Sequence, residues 1–175
     1  MANGTLKVSN IQTSSGSGTI TIGQSGETVN IAGTSGTGFG KILQVVSTST
    51  TTETSTNSTS FVLASGLTLN ITPSSSTSKI LIFGSTCTQA NGGAINNLSI
   101  FRDSTNLGET NQGFGRLTNA DEIVIQGSVH YLDSPATTSQ ITYALYVRSN
   151  GGGGVTVQTN SNGTRGSITA IEISG

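Results

Sequence analysis

The chain has no tryptophan, and one cysteine, one histidine, one methionine and two prolines in 175 residues. Each shortage removes a class of protein. A lone Cys87 cannot build a disulfide scaffold. One histidine and one cysteine cannot make a metal site within a single chain, so no metal or other cofactor is expected. Charge is also scarce: 9% of residues are charged, against roughly 25% in an ordinary soluble protein. Seven Lys and Arg stand against eight Asp and Glu. They form no basic cluster, and nucleic acid is not an expected partner. No apolar run approaches the roughly 20 residues of a spanning helix, so membrane insertion is not expected. The opening Met1-Ala2-Asn3-Gly4-Thr5 has neither a basic nor an apolar leader region, and synthesis in a cytoplasm is the expectation.

What is present is small and β-forming. There are 24 glycines and 55 serines and threonines, close to half the chain. Apolar residues make up 32%, too many for a disordered chain, and they come in short regular patches. No window carries the i, i+3, i+4, i+7 pattern of an amphipathic helix. The fold class expected is therefore all-β: an N-terminal extended β-repeat arm followed by a jelly-roll-like β-sandwich.

Residues 1–33 hold strand fragments with only two apolar side chains each. Leu6 and Val8 alternate, Ile20 and Ile22 alternate, and Val29 and Ile31 repeat the pair nine residues later. Such fragments cannot bury a core of their own and need neighbours. They read as an oligomerising or docking arm. Residues 34–40 read as a Gly-rich linker. Residues 41–175 read as one domain of eight or nine strands, the count of a sandwich. Within it, Ser47–Asn57 reads as an edge strand or a long loop. Phe61–Leu63 reads as a short strand separate from the alternation Leu67, Leu69, Ile71. Ile80–Phe83 reads as a strand buried on both faces. Ser104–Ala120 reads as a long loop, Gly127 as a bulge, and Asn150–Gly154 as a tight turn.

No catalytic constellation emerges, and an enzyme is not expected. His130 lies between Val129 and Tyr131 and must face away from both, on an outer face or an interface. Cys87 reads as a core or near-core residue. Asp121 and Glu122 point to opposite faces of a strand and do not converge. Asp103 reads as a turn residue. Tyr143 and Tyr146 face opposite ways, so one is outward, and Tyr146 is the possible partner contact. Phe114, between two glycines, either plugs its own domain or meets a partner.

Several stretches carry a resemblance: Gly4–Ile11, Gly40–Val46, Ile71–Ile82, Tyr131–Thr138, Tyr143–Arg148 and Ser167–Ile173. They resemble small virion proteins of tailed phages from marine and freshwater hosts, often labelled tail-fibre-like. The resemblance implies a virion surface component made in the host cytoplasm, commonly trimeric. It implies a short fibre or spike that docks through its arm on another virion protein and meets a host surface glycan or protein. The alternative is a capsid decoration protein stabilising the phage head; a chain too short for a whole long fibre favours it.

Overall fold

A computed structural model describes residues 41–90, 95–118, 124–150, 157–159 and 161–175. Leu6, Val8, Ile20, Ile22, Val29 and Ile31, the linker 34–40, the Asp121-Glu122 pair and the glycines of the turn after Asn150 lie outside the described residues. The described residues belong to one compact unit.

Eleven strand segments are described. They are β1 (Ile42–Thr50), β2 (Thr54–Thr56), β3 (Val62–Ile71), β4 (Lys79–Ala90), β5 (Ile95–Arg102), β6 (Thr105–Asn106), β7 (Gly115–Thr118), β8 (Val124–Asp133), β9 (Ile141–Ser149), β10 (Val157–Thr159) and β11 (Gly166–Ile173). A single 3-10 turn, Ser161–Gly163, separates the last two. All pairings are antiparallel. Three pairs of segments act as interrupted single strands. β10 and β11 share one side of β4, β1 and β2 continue that layer, and β6 and β7 share one side of β5. One sheet therefore runs β1-β11-β4-β8 and the other β3-β9-β5-β7. Counted in chain order, the first, eighth, third and sixth strands face the second, seventh, fourth and fifth. That interleaving is the jelly roll.

The period-2 pattern sets the inner faces. Ile80 and Ile82 of β4, Leu98 and Ile100 of β5, Tyr143, Leu145 and Val147 of β9, and Ile168 and Ala170 of β11 are almost fully buried in one cluster. Gly84 is opposite Leu145, and a Cβ there would lie 2.4 Å from Leu145 Cδ2. Only glycine lets the two sheets close at that point. Further along, the inner positions turn polar, through Thr86, Thr88, Asn96 and Ser149.

The structure corrects several expectations. β4 is buried on one face only: Leu81 is half-buried and Phe83 is 46% exposed. β8 runs without a register shift, so Gly127 is not a bulge. It is glycine because a Cβ would meet Leu117 Cδ1 at 2.9 Å. Phe61–Leu63 is not a separate strand. Val62–Leu63 joins the following alternation as β3, through a bulge between Leu63 and Thr68 where Gly66 takes φ +79°. The stretch 104–120 is not one open loop, since β6 and β7 in it both pair with β5. Cys87 lies within β4 on its outer face, half-buried, and not in the core. The tract after Ser47 is an edge, the end of β1 followed by β2.

Candidate functional site

Two outer faces differ sharply in chemistry. On the β1-β11-β4-β8 sheet, the register aligns residues in rows across all four strands. Val45, Ile171, Leu81 and Leu132 form one such row, directly paired from edge to edge. Val45 is 56% exposed and Leu132 47%. The next row is Ser47, Thr169, Phe83 and His130, and the one after is Ser49, Ser167, Ser85 and Ser128. Alternation places His130 outward, opposite the buried Val129, where its ring lies 6.3 Å from that of Phe83. Apart from His130 these three rows contain no ionisable side chain. Charge comes in only at the margins, where Arg165 Nη1 donates to Ser49 Oγ (3.0 Å) and the exposed Lys79 is paired with Ile173. An apolar row of this kind resembles the centre of a protein interface.

The other sheet's outer face is aromatic and polar. Tyr143 of β9 points inward and is fully buried, and Tyr146 points outward. Opposite Tyr146 stands Ser99 and opposite Phe101 stands Ala144. Those small partners leave room for Phe101 and Tyr146 to stack diagonally, with ring centres 4.0 Å apart. Phe61 meets Phe101 edge-on at 5.7 Å. The Arg148 guanidinium carbon lies 5.7 Å from the Phe61 ring centre. Arg148 is 8% exposed. Its Nη1 donates to the Asn111 carbonyl (2.6 Å) and Oδ1 (3.3 Å), and its Nη2 donates to Asn150 Oδ1 (3.3 Å). The segment after β6 is shaped to meet it. Glu109 and Gly113 bond each other's backbones. The Glu109 carboxylate accepts from the Asn111 and Gln112 amides. Gly113 has φ +63° and sits where a Cβ would strike the Leu98 carbonyl. Between this segment and the aromatic rings lies a pocket of about 370 Å³, lined among others by Phe61, Phe101, Thr110, Asn111 and Arg148.

Phe114 is half-buried against the core, with its ring 5.3 Å from that of Tyr131. Asp103 takes φ +51° between β5 and β6, and its carboxylate accepts from the Thr142 amide. Among the described residues no group of three or more His, Cys, Asp or Glu could hold a metal ion.

Two buried acids went unnoticed in the sequence. Asp133, on the inner face of β8, accepts two hydrogen bonds from Arg102 Nη1 (3.0 and 2.9 Å) and one from the Tyr143 hydroxyl (2.6 Å). Burial, and then the hydrogen bond to Asp133, push the Tyr143 phenol far above its usual range. Glu172, fully buried on β11, accepts from Gln44 Nε2 (2.6 Å) and from the Ser74 amide (2.8 Å) and hydroxyl (2.7 Å). Burial alone would raise its carboxyl. The neighbouring Ser78 and the donors from Gln44 and Ser74 outweigh that and hold it at about 2. Both acids tie elements together and neither opens onto a pocket described above.

No protein-family model and no curated protein matches the chain. Solved structures of infectious bursal disease virus particles do. The Gx strain structure is 14% identical with a TM-score of 0.42, covering 77% of this chain and 33% of that one. The T13 viral particle is 11% identical with a TM-score of 0.42, covering 84% and 40%. The VP2 subviral particle is 12% identical with a TM-score of 0.41, covering 84% and 42%. The chain thus spans less than half the length of these matches.

Proposed function

We propose that the chain is a non-enzymatic virion surface structural protein that works as a homotrimer. Residues 1–33 dock on another virion protein, and the sandwich is turned toward the host surface. The observation that carries this is the uncovered row Val45-Ile171-Leu81-Leu132. It reaches both edges of its sheet. In a ring of three, the β8 end of one copy meets the β1 end of the next, a head-to-tail contact that closes. The row itself contains no charged side chain to oppose a second copy. Low overall charge and a threonine-rich β framework suit a durable assembled part.

Light scattering on the full-length protein tests this. The expected mass is three times 17.7 kDa. The double variant Val45→Asp, Leu132→Asp changes only exposed positions and is expected to give a folded monomer. A monomeric wild type, or a double variant that stays trimeric, sinks the assignment of this face.

The second reading, a decoration protein of the capsid, is favoured by the hydroxyl-lined row Ser49, Ser167, Ser85 and Ser128, which suits polar seating on a shell. Electron microscopy of virions separates the two: copies on the tail support the spike, copies spread over the head support decoration. Deleting residues 1–33 is expected to leave a soluble, cooperatively melting sandwich that no longer joins the virion. Four apolar side chains from the two repeat blocks contribute at most about 12 kcal/mol. Ordering some 30 residues costs on the order of 1–2 kcal/mol each. Partners must supply the difference, so continued incorporation of the truncated chain would place the anchor on the sandwich.

A further inference from the structure

We propose that the pocket beside Arg148 binds a saccharide unit bearing a carboxylate. Three observations converge on it. The first is a cation without a counter-ion among the described residues. Arg148 is more than nine-tenths buried, yet its described partners are a carbonyl and two side-chain amide oxygens, all neutral. Its Nε is buried with no hydrogen-bond partner. The one ion pair among the described residues is Arg102 with Asp133, elsewhere in the fold. A guanidinium taken out of water without a negative partner is costly, and a ligand carboxylate in the pocket offers the missing charge.

The second observation is the wall. Phe61 and Phe101, braced by the stacked Tyr146, present ring surface to the pocket. The C–H face of a pyranose buries apolar area on such a ring while its hydroxyls stay free to bond. The third is the rim. Thr59, Ser60 and Thr110 add hydroxyl groups that can both donate and accept, as sugar hydroxyls require. The Glu109 carboxylate of the flanking segment is engaged by the Asn111 and Gln112 amides. At about 370 Å³ the pocket falls at the small end of ligand sites, which run from roughly 300 to 1,000 Å³, and suits one or two sugar units.

This deepens the host-surface part of the proposed function and rests on it, while the trimer is tested separately by mass. The probes are oligosaccharides of galacturonate, glucuronate and N-acetylneuraminate, each beside its methyl ester and a neutral oligosaccharide. They are titrated into the full-length protein by calorimetry. At least one acid is expected to bind saturably with Kd of about 1 mM or tighter. Its ester and the neutral sugar should be weaker by tenfold or more, and affinity should fall with salt. Failure of all three acids to bind, or equal binding of acid and ester, overturns the proposal even if the protein is a trimer. Arg148→Lys keeps the charge and loses the fork, and is expected to weaken the acid at least tenfold. That variant also loosens the Asn111 contact, so Phe61→Leu, which touches none of the Arg148 hydrogen bonds, serves as the second. It should weaken acid, ester and neutral sugar alike, with a cooperative melt lowered by only a few degrees. If both variants melt and bind as wild type does, the pocket is not the site.

Discussion

Replacing Asp133 by alanine is expected to lower the melting temperature by roughly 8–15 °C. The carboxylate joins the two sheets. It hangs from the end of β8, while Arg102 and Tyr143, which are directly paired neighbours in the other sheet, both point at it. Removing it leaves the Tyr143 hydroxyl buried with no acceptor and Arg102, 27% exposed, with no counter-charge. Breaking one side of a buried pair costs about 3–5 kcal/mol. For a chain of this length each kcal/mol moves the midpoint by about 2–4 °C. Two companions give the claim its shape. Tyr143→Phe removes one donor and leaves the ion pair, and should cost about 1–3 kcal/mol. Arg102→Met is cheaper than Asp133→Ala, because Tyr143 and the Ser134 amide still satisfy the acid. Calorimetric melting of the three variants checks the order. An Asp133→Ala protein that melts within about 3 °C of wild type would show the network to be incidental.

The strands were legible because their alternation is a local property. Ile141, Tyr143, Leu145 and Val147 mark an inner face without help from any other strand, and the structure buries all four. Ile80–Phe83 misled for a physical reason. A run of apolar residues reports that both faces avoid water, but not whether the second face is covered inside the chain or by another molecule. Among the described residues only the first face is covered, and Phe83 stays exposed on the second. Gly127 misled because glycine serves both for bulges and for close approach, and only the position of Leu117 decides between them.

The pocket was less legible. Tyr146 could be assigned outward by parity with Tyr143. The other members, Phe61, Phe101 and Arg148, lie on three different segments, and their meeting depends on β3, β9 and β5 being neighbours. That order is fixed by long connections that leave no periodic trace in sequence. The same holds for Asp133 and Glu172. Each occupies an inward position in an otherwise apolar or small series, and the pattern alone cannot say whether such an acid is an interruption or a joint. One cue was available for Glu172. The Pro73-Ser74-Ser75-Ser76 turn supplies hydroxyls and free backbone amides in one place, and a carboxylate is what they would gather around.

Glu172 yields the last expectation, an acid-dependent stability with an assignable origin. Its folded carboxyl titrates at about 2, below the usual 4.5. Because the folded value is the lower one, the unfolded chain binds the proton more readily. The contribution from Glu172 is therefore complete above about 4.5 and is lost as pH falls through about 2. Protonation also removes an acceptor from a site built of donors, so the Ser74 turn and Gln44 at the head of β1 should loosen together. Urea midpoints measured from pH 7 to pH 2 should fall for wild type across that window. Glu172→Gln is close in shape but cannot ionise. It should be weaker than wild type at pH 7 and lose less on acidification, so that the two curves converge toward pH 2. Glu172→Ala, which strands all three donors, should be weaker still at neutral pH, by about 3–5 kcal/mol. Parallel curves for wild type and Glu172→Gln would mean that the acid response comes from other carboxylates and that the buried charge at Glu172 does not report on folding.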